Sequence, residues 1–514
     1  MIDLTPLLRG YAKYRMARLC ALDPVQTQEQ QLKQLLKTAA ATRFGRDHGF
    51  TQIKNVAQFQ KQVPLRKYED FWDGYWKESF PNFHDCSWPG LIPFIPVSSG
   101  TTSGTTKYIP CSRQMVRSNS RAGLDLLVYH VTNRPHSKIF GGKSFFLGGS
   151  ADLVKQAPGV WSGDLSGIVV KTLPWWARPR YFPPLELALI SDWEKKIEIL
   201  GRESLRQDIR TLSGVPAWML ILVKKLSELK PGTDGKLHSL YPNLELLVHG
   251  GVNFAPYLKQ FQDLLEGSHA ELREVYPASE GFIAIADRGY GEGLRLNLDG
   301  GLFYEFVPLE ELGAPNPTRH WVADIQPDLN YAVIVTTCAG LWSYVLGDTV
   351  KFVETKVPRL LVTGRTSYYL SAFGEHLIAE EIEESISEAA REIGSAVSDY
   401  SVGPIFPQHA GELGGHLYVI EFAKNMPNAP ALDSFKNKLD RRLCERNEDY
   451  AAHRSKGFGL NPPQLAVVPS GTFAAWMKSR GKLGGQHKVP RIINDREILS
   501  NLRDFARQSG AILA

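Results

Sequence analysis

A short stretch rich in hydroxyl groups and glycine could hold a phosphate. Residues 98–107, SSGTTSGTTK, contain seven hydroxyl side chains, two glycines and one lysine, and they follow an apolar run at 92–97. Backbone N–H groups, hydroxyls and an ammonium group that converge after a strand form an anion cradle. A solvated flexible linker has the same composition, so both interpretations stay open on these residues alone.

Two familiar lysine motifs do not match this stretch. A Walker A loop needs four residues between its glycines and a lysine directly after the second. Here three residues separate Gly100 from Gly104, and two more precede Lys107. A Ser-x-x-Lys acylation motif needs serine where Gly104 stands. The stretch is therefore neither a P-loop nor a β-lactamase-type nucleophile.

Two carboxylates further along the chain could complete a nucleotide site. The segment REVYPASEGFIAIA, residues 273–286, is predicted to place Ser279 and Glu280 on a turn after a strand. Mg²⁺ takes one or two carboxylates and fills its shell with phosphate oxygens and water, which makes Glu280 a candidate ligand. Asp348 is predicted on a turn after Gly347, where a carboxylate can accept two hydrogen bonds from a ribose diol. Each is also an ordinary turn residue.

The elements that must position these residues have the pattern of an α/β protein. Apolar runs of strand length alternate with amphipathic stretches, and most of them end in Gly, Ser or Thr. They lie at residues 92–97, 244–248, 331–337 and 359–363. The buried strands would therefore lead into the loops that carry the candidate residues.

The pattern changes near residues 363–369, where we expect a domain boundary. Beyond it, apolar residues at helical spacing alternate with strand-like runs at 416–422 and 464–468. The helical residues are Ile378, Ile382 and Ile386, then Phe435, Leu439 and Leu443. The sequence thus predicts a large α/β domain over residues 1–364 and a compact α+β domain over residues 365–514.

Composition argues against several classes of protein. The 514 residues include 59 basic and 54 acidic ones, interleaved, for a net charge of +5, so we expect no nucleic acid partner. The longest apolar run, 217–223, is shorter than the roughly 18 residues of a spanning helix, and we expect no membrane partner.

The basic N-terminal segment is predicted as an amphipathic helix rather than a targeting signal. Five scattered cysteines without a C-x-x-C pair disfavour disulfides or zinc and fit the cytoplasm.

Three motifs taken together, SSGTTSGTTK, YPASEG and YVLGD, resemble in order and spacing the nucleotide motifs of the Gretchen Hagen family of acyl acid amido synthetases, part of the ANL superfamily of adenylate-forming enzymes. The likeness continues through YAVIVTTCAGLWSY and through residues 469–492, PSGTFAAWMKSRGKLGGQHKVPRI. This closing block is the more specific part. It favours the amido synthetases over acyl-CoA ligases.

The resemblance implies a fold and a reaction. The fold would be a large N-terminal domain with β-barrel and α/β layers and a smaller mobile C-terminal domain, hinged near Arg365. In the reaction, a carboxylate attacks the α-phosphorus of ATP to give an acyl-adenylate and pyrophosphate, and the amino group of an amino acid then displaces AMP. The partners would be ATP, Mg²⁺, a small carboxylic acid and an amino acid, and we expect a monomer.

The resemblance also implies roles for residues. The β- and γ-phosphates would be held by the opening stretch, with Ser98, Ser99, Gly100, Thr101, Thr102 and nearby Lys107. Glu280 would hold Mg²⁺, Ser279 the α-phosphate and Asp348 the ribose. Gly250 and Gly251 would wall the adenine or the acyl group. Tyr276 and Arg365 complete the expected ATP-binding set.

Two residues of the C-terminal part bear on the second half-reaction. By resemblance, Lys488 would be a mobile cation that neutralises the α-phosphate in one domain position and withdraws in the other; a solvated lysine in a basic segment is the alternative. His376 stands where plant members of the family carry a lysine. We expect His376 to pack rather than to orient a substrate.

The acyl pocket is expected, by analogy with the family, to be apolar and aromatic. The residues expected to line it are Trp161, Leu165, Val169, Trp218 and Leu220, although core packing would explain each of them equally well. Such a lining suits an aryl or alicyclic acid, with indole-3-acetate, benzoates, cinnamates and jasmonate-like acids all open. An acyl-CoA or other thioester ligase and a non-catalytic nucleotide-binding homologue are the rival functions.

Overall fold

The computed structural model describes residues 2–98, 107–148, 152–190, 193–251, 254, 257–327, 329–366, 369–375, 377–407, 409, 412–423, 426–455, 459–480 and 489–513. Its described parts divide into two compact units. The first unit holds Met1–Ser98 and Lys107–Thr366, and the second holds Ser367–Ala514. The division falls after Thr366, and the hinge role of Arg365 stays a prediction.

The first unit contains helices and two sheets. Its α-helices within the described residues are α1 (Thr5–Ala21), α2 (Pro24–Ala39), α3 (Arg43–Asp47), α4 (Val56–Gln62), α5 (Tyr68–Phe71), α6 (Arg113–Asn133), α7 (Leu165–Thr172), α8 (Leu185–Ala188), α9 (Trp193–Ser204), α10 (Pro216–Leu229), α11 (Leu237–Leu240) and α12 (Leu258–Leu265). Short 3₁₀ or π segments occur at Phe50–Gln52, Trp72–Trp76, Ile139–Gly141, Arg178–Arg180 and Leu309–Glu311.

The strands of this unit follow the apolar runs. They are β1 (Phe94–Ser98), β2 (Lys107–Tyr108), β3 (Lys143–Leu147), β4 (Leu153–Ala157), β5 (Val160–Gly163), β6 (Tyr181–Phe182), β7 (Ile209–Gly214), β8 (Leu246–Gly250), β9 (Glu271–Ala278), β10 (Gly281–Ile285), β11 (Leu294–Leu296), β12 (Leu302–Pro308), β13 (Asn330–Thr337), β14 (Tyr344–Glu354) and β15 (Arg359–Arg365). All four runs predicted as strands in this part of the chain are confirmed, with ends shifted by at most two residues.

The larger sheet changes from antiparallel to parallel pairing at β9. Its strand order within the described residues is β12-β13-β14-β15-β11-β10-β9-β8-β7-β3-β6. Neighbours from β12 to β9 pair antiparallel, and those from β9 to β6 pair parallel. A smaller sheet has the order β2-β1-β5-β4. Ligands of α/β proteins bind at the carboxyl ends of parallel strands, which directs attention to the ends of β8 and β9.

Helices α1 and α6 cover one face of this parallel region. Val248, Val275 and Ile285 of β8 to β10 belong to the same hydrophobic cluster as Leu8 of α1 and Leu126 of α6. The N-terminal segment therefore forms a helix, α1, one side of which packs on this cluster. Because side chains alternate along a strand, the residues between these core positions point to the opposite face.

The second unit has its own sheet and core. Its elements are β16 (Tyr369–Leu370), β17 (Leu377–Ile378), α13 (Ala379–Glu392), β18 (Val397–Ile405), β19 (Gly415–Phe422), α14 (Ala429–Arg446), α15 (Glu448–Arg454), β20 (Gln464–Val468), α16 (Thr472–Ser479), α17 (Arg496–Gln508) and β21 (Ile512–Leu513). The predicted helical residues Ile382, Ile386, Phe435, Leu439 and Leu443 are all buried. Ile378 instead ends β17, one residue before the helix begins.

The mixed α/β class, with a larger first part and a smaller α+β part, is confirmed. Both predicted strands of the second unit are present as β19 and β20. No helix in the described residues is long and apolar enough to cross a membrane.

Paired charges fill the amino-terminal end of β9. Glu271 lies 2.6 Å from Nδ1 of buried His130 and accepts a 2.7 Å hydrogen bond from Nε of Arg273. Burial alone would raise the pKa of the Glu271 carboxyl, but the hydrogen bonds from His130 and Arg273 lower it to about 2. This carboxylate is therefore ionised in the folded protein at neutral pH and stabilises the fold.

We expect Glu271→Gln to lower the free energy of unfolding at pH 7 by about 3 kcal/mol, because it leaves buried cationic partners without their carboxylate. The folded pKa is about 2 and the ordinary value 4.5, so the wild-type contribution is complete above 4.5 and lost as the pH falls towards 2. The difference in free energy of unfolding between the wild type and Glu271→Gln should therefore shrink as the pH falls below 4.5. Urea unfolding between pH 7 and 3 measures it, with exposed Glu310→Gln as the control; a constant difference would contradict the assignment.

Candidate functional site

The carboxyl end of β8 approaches β9 so closely that a side chain cannot fit. Gly250 is the last residue of β8 and lies opposite Val275 of β9. A Cβ added at Gly250 would lie 2.3 Å from the carbonyl oxygen of Val275, well inside van der Waals contact. Gly250 therefore has no room for a side chain because β9 lies against it, whereas a Cβ at Gly251 would meet nothing within 4 Å.

A hydrogen bond joins this edge to the antiparallel half of the sheet. The hydroxyl of Tyr276, on β9, donates to a carboxylate oxygen of Asp348, on β14, at 2.5 Å. Tyr276 is 8% exposed and Asp348 is 7% exposed. The structure thus brings together two residues, 72 positions apart in the chain, that the sequence assigned to the same site.

The turn predicted around Asp348 is wrong, because this residue lies inside a strand. Ala332 and Ile334 of β13 pair with Thr349 and Val345 of β14, so three residues of β14, 346–348, lie opposite one of β13. Such a bulge re-aims side chains, and the φ of +92° at Gly347 supplies the left-handed conformation that glycine adopts easily. The bulge accordingly places Asp348 against Tyr276.

Arg365 is brought to the same place by strand register. Asp348 of β14 is the direct partner of Arg365 of β15 in the antiparallel ladder. The backbone of Arg365 therefore lies beside the predicted ribose ligand.

Ser279 and Glu280 lie on the turn that the sequence predicts. They connect β9 to β10 directly beyond Tyr276. Glu280 is 9% exposed. A carboxylate oxygen at this edge is a hard donor of the kind that Mg²⁺ prefers.

The opening stretch runs between two paired strands. Ser98 ends β1 and Lys107 begins β2, and the two residues are direct partners in the antiparallel ladder. Lys107 is buried, with its Nζ 5.6 Å from the centre of the Tyr68 ring. Ser99, Gly100, Thr101 and Thr102 lie outside the described residues, and their phosphate-binding role stays a prediction.

The C-terminal candidates also lie outside the described residues, so the roles given to Lys488 and His376 stay predictions. Glu375, directly before His376, is fully buried and is anchored within its own unit. It accepts hydrogen bonds from the backbone N–H groups of Ala372 and Phe373 at 3.1 and 2.7 Å, and Nε2 of His416 lies 2.7 Å from it. The segment before His376 is therefore fixed to β19.

The residues expected in the acyl pocket lie on three elements. Trp161 is on β5, Leu165 and Val169 are on α7, and Trp218 and Leu220 are on α10. Lys171 Nζ lies 3.7 Å from the centre of the Trp161 ring, and Val169 is 37% exposed. A small cavity beside α7 is lined by the neighbouring Ser166 and Val170 and by none of the five residues. Their role stays a prediction.

Sequence reasoning missed two polar residues next to Gly250 and Tyr276, the buried His249 and the half-buried Glu274. His249 and Glu274 are direct partners on β8 and β9, two residues before Gly251 and Tyr276, and so on the same face. His249 stacks on Phe254 at 3.5 Å between ring centres, and neither of its ring nitrogens has a hydrogen-bond partner within the described residues. The sequence did contain a signal for them, because each is a polar residue inside a largely apolar run: His249 in LELLVHG and Glu274 in REVYPA.

Burial shifts the titration of both residues towards their neutral forms. It lowers the pKa of His249 to about 3 and raises the pKa of Glu274 to about 7. A charged group withdrawn from water costs free energy. At neutral pH this face of β8 and β9 therefore holds a neutral imidazole beside a carboxyl group whose neutral form is favoured by burial.

Glu274→Gln should stabilise the protein at alkaline pH. The folded pKa of Glu274 is about 7 against an ordinary 4.5, so its contribution is fully present below 4.5 and lost as the pH rises to 7. The glutamine has no proton to lose, and we expect it to be more stable than the wild type by about 3 kcal/mol at pH 8 and equal at pH 4. Denaturant unfolding at both values tests this against Glu310→Gln; equal stability at pH 8 would contradict it.

Known proteins share this arrangement of strands. The "AtGH3.15 acyl acid amido synthetase in complex with 2,4-DB" superimposes with a TM-score of 0.61 at 18% identity, covering 98% of this chain and 96% of that one. A 2-hydroxyisobutyryl-CoA ligase in the thioesterification state gives a TM-score of 0.54 at 15% identity, covering 94% and 92%. The chain therefore shares the fold of these two proteins.

Sequence relatives are found among plant proteins. Indole-3-acetic acid-amido synthetase GH3.4 of Arabidopsis thaliana is 25% identical over 301 residues, covering 52% of this chain. Jasmonoyl--L-amino acid synthetase JAR4 of Nicotiana attenuata is 22% identical over 555 residues, covering 92% of this chain and 91% of that protein. The match to the Arabidopsis relative spans about half of that relative's length, 47%.

Family domains account for most of the chain. The GH3 family N-terminal domain matches residues 15–198 and 159–270, the central domain residues 296–365 and the C-terminal domain residues 380–497. Together these segments include Gly250, Arg365, Asp348 and Lys488. The chain belongs to the GH3 family.

Proposed function

We propose that this protein is an ATP-dependent acyl acid amido synthetase. It would convert a small carboxylic acid and ATP to an acyl-adenylate and pyrophosphate, and then pass the acyl group to the amino group of an amino acid with release of AMP. The observation that carries the proposal is the Tyr276–Asp348 hydrogen bond beside the end of β8 at Gly250. Family membership and the names of the relatives support it.

The described residues suggest how the nucleotide would be held. The adenine would lie against the backbone at Gly250 and Gly251, and the ribose hydroxyls would donate to Asp348. Tyr276, already bonded to Asp348, would fix the direction of that carboxylate. Ser279 would then face the α-phosphate from the turn after β9. Binding along this edge sets the α-phosphorus in one place, which supplies the positioning that adenylation needs.

Glu280 is the residue that would hold Mg²⁺. It is a nearly buried carboxylate on the same turn as Ser279, and one protein carboxylate is enough where phosphate oxygens and water complete the shell. The ion, when bound, would neutralise phosphate charge. Ser98, Ser99, Gly100, Thr101, Thr102 and Lys107 would surround the β- and γ-phosphates.

The amino acid would react with the acyl-adenylate formed in the first step. Its amino group attacks the acyl carbonyl carbon, the bond from that carbon to the phosphate oxygen breaks, AMP leaves with the former carboxylate oxygen, and the nitrogen loses a proton as the amide forms. We propose that residues 365–514 move about Arg365 between the two steps and that Lys488 neutralises the α-phosphate in one of them.

An aryl or alicyclic acid fits the names of the plant relatives. It would lie near Trp161, Leu165, Val169, Trp218 and Leu220.

We also propose a cytoplasmic monomer. All five cysteines are free thiols in the structure. Cytoplasmic reduction is consistent with that state. Gel filtration with light scattering would measure the mass of the particle against the 57.4 kDa of one chain.

Product analysis tests the proposed function. The purified enzyme is incubated with ATP, Mg²⁺, a mixture of carboxylic acids and a mixture of amino acids, and the products are identified by mass spectrometry. An N-acyl amino acid together with AMP supports the proposal. An acyl-CoA formed on addition of coenzyme A, with no amide, would make the protein a thioester ligase. Absence of acid-dependent ATP–pyrophosphate exchange across the panel would make it a non-catalytic homologue.

Glu280→Ala should reduce acid-dependent ATP–pyrophosphate exchange by at least about 100-fold, because adenylation loses the protein ligand of Mg²⁺. Raising the Mg²⁺ concentration should recover part of the loss. Glu310→Ala, an exposed glutamate, is the matched control and should behave as the wild type. Unchanged exchange in Glu280→Ala would remove this residue from the site.

Lys488→Ala should slow one half-reaction by about 10- to 100-fold more than the other. Pyrophosphate exchange reports the first half, and single-turnover transfer from preformed acyl-adenylate to the amino acid reports the second. Exposed Lys478→Ala, from the same basic segment, is the control. Equal slowing of both halves, or of neither, would contradict the moving-cation role.

A further inference from the structure

Exposed aromatic side chains lie at the end of the parallel strands that is opposite to the candidate site. Strand β3 pairs in parallel with both β6 and β7, so the amino ends of these strands meet at one edge of the sheet. The candidate site lies at the carboxyl ends of β8 and β9. Strand β6 begins at Tyr181, directly after the segment 173–180, LPWWARPR. This segment therefore lies at the amino-terminal edge, away from the candidate site.

Two tryptophans of this segment are unusually exposed. Trp175 is 82% exposed and Trp176 is 42% exposed, whereas tryptophan is on average highly buried in folded proteins. The turn that carries them is held by its own hydrogen bonds. The N–H of Ala177 donates to the carbonyl oxygen of Pro174 at 2.9 Å, and Nε of Arg178 donates to that of Leu173 at 3.2 Å. The two indole rings are therefore presented to solvent by a hydrogen-bonded turn.

The start of helix α1 extends this apolar surface. Nη2 of Arg180 donates to the carbonyl oxygen of Ile2 at 2.9 Å, and its Nε donates to that of Phe140 at 3.3 Å. The backbone N–H of Phe140 donates in turn to Oγ1 of Thr5, the first residue of α1, at 3.0 Å. The side chains of Ile2 and Leu7 are both exposed. Two aliphatic side chains thus join the two tryptophans at the same edge.

The basic side chains at this edge are not neutralised by carboxylates. Arg178 and Arg180 donate to the backbone carbonyl oxygens named above, and Nζ of Lys143, at the amino end of β3, donates to that of Pro179 at 2.7 Å. None of these three side chains forms an ion pair within the part of the chain that the structure describes.

The sequence around this edge is correspondingly one-sided in charge. Residues 4–22 and 165–185 contain no aspartate or glutamate, whereas both segments contain several arginines and lysines. Asp3 is the acidic residue beside Ile2, and its carboxylate accepts a 2.9 Å hydrogen bond from the N–H of Thr5. The edge therefore combines exposed apolar groups with positive charge that the chain itself leaves largely unbalanced.

A lipid surface with anionic headgroups matches both features. Tryptophan is enriched at membrane–water interfaces, where one side of the ring is apolar and the other is hydrated. Basic residues near an anionic leaflet add to the binding, and apolar groups together with basic groups attach a protein more firmly than either alone. A second copy of this chain would cover the apolar groups as well, but it would bring like charges together.

We propose that this edge docks onto an anionic lipid bilayer. It is called the amino-end face and consists of Ile2, Leu7, Trp175, Trp176, Arg178 and Arg180. The indole rings would enter the headgroup layer, and the guanidinium groups would lie against lipid phosphates and carboxylates. The sequence-based expectation of no membrane partner followed from the lack of a spanning helix, and a surface contact needs none. The proposal is independent of the proposed function.

Co-sedimentation of the whole protein with vesicles tests this docking. The vesicles contain phosphatidylcholine alone or phosphatidylcholine with about 30% phosphatidylserine, which supplies the anionic headgroups. The wild type should bind the anionic vesicles at least about tenfold more strongly than the neutral ones. Binding should weaken as the salt concentration rises, because salt screens the attraction between exposed charges.

Variants then assign the binding to residues. The double variant Trp175→Ser, Trp176→Ser should bind anionic vesicles about tenfold more weakly, because the apolar contact is lost. Arg178→Gln should weaken binding roughly fivefold, the contribution of one basic residue near such a surface. Leu513→Ser and Arg391→Gln, at exposed positions of the second unit, are the matched controls and should bind as the wild type does.

Three results would overturn the proposal: no binding to anionic vesicles, equal binding to both compositions, or binding that the double variant retains. Light scattering without lipid tests the competing occupant. A particle of twice the mass of one chain that the double variant abolishes would make the amino-end face a contact between two copies, and would also overturn the proposal. Product analysis uses no vesicles, so its outcome is separate from this one.

Discussion

The site depends on one constraint, the double pairing of β9. This strand is parallel to β8 on one side and antiparallel to β10 on the other. The carboxyl ends of β8 and β9 therefore meet at one edge, and the turn that carries Ser279 and Glu280 returns the chain along that same edge. A slip of one residue in the register would turn Tyr276 to the face of α1 and α6. Core residues Val248 and Val275 hold the register, because the slip would expose them.

The antiparallel half of the sheet supplies the carboxylate of Asp348, which is on β14. Strand β14 is long, and its ends are held by pairing with β13 and β15. In a regular strand, alternation alone would decide which face of the sheet the Asp348 side chain points to. The bulge at residues 346–348 changes that direction locally. The conformation of Gly347 is thus part of the site, although glycine offers a ligand nothing but backbone. Tyr276 and Asp348 can meet only when both strand registers are correct.

This dependence on strand pairing explains which features could be predicted from the sequence and which could not. Continuous apolar runs such as residues 331–337 predicted strands correctly, since burial on both faces leaves a local signature. The Gly347-Asp348 dipeptide was misread as a turn because the bulge is set by partners in other parts of the chain. His249 and Glu274 were missed because each is one polar residue inside an apolar run, and only the pairing of β8 with β9 shows that they are neighbours.

Two neighbouring groups of polar residues around β9 differ in their hydrogen bonding. At the start of β9, Glu271 is paired with both Arg273 and His130, as the burial of charged groups requires. Directly after Arg273, Glu274 has its pKa raised by burial, and its neighbour His249 on β8 has no hydrogen-bond partner for either ring nitrogen within the described residues. Stability by itself would favour apolar residues at these two positions. Departures from local consistency concentrate at functional sites, so His249 and Glu274 direct attention to the face of β8 and β9 that also carries Tyr276.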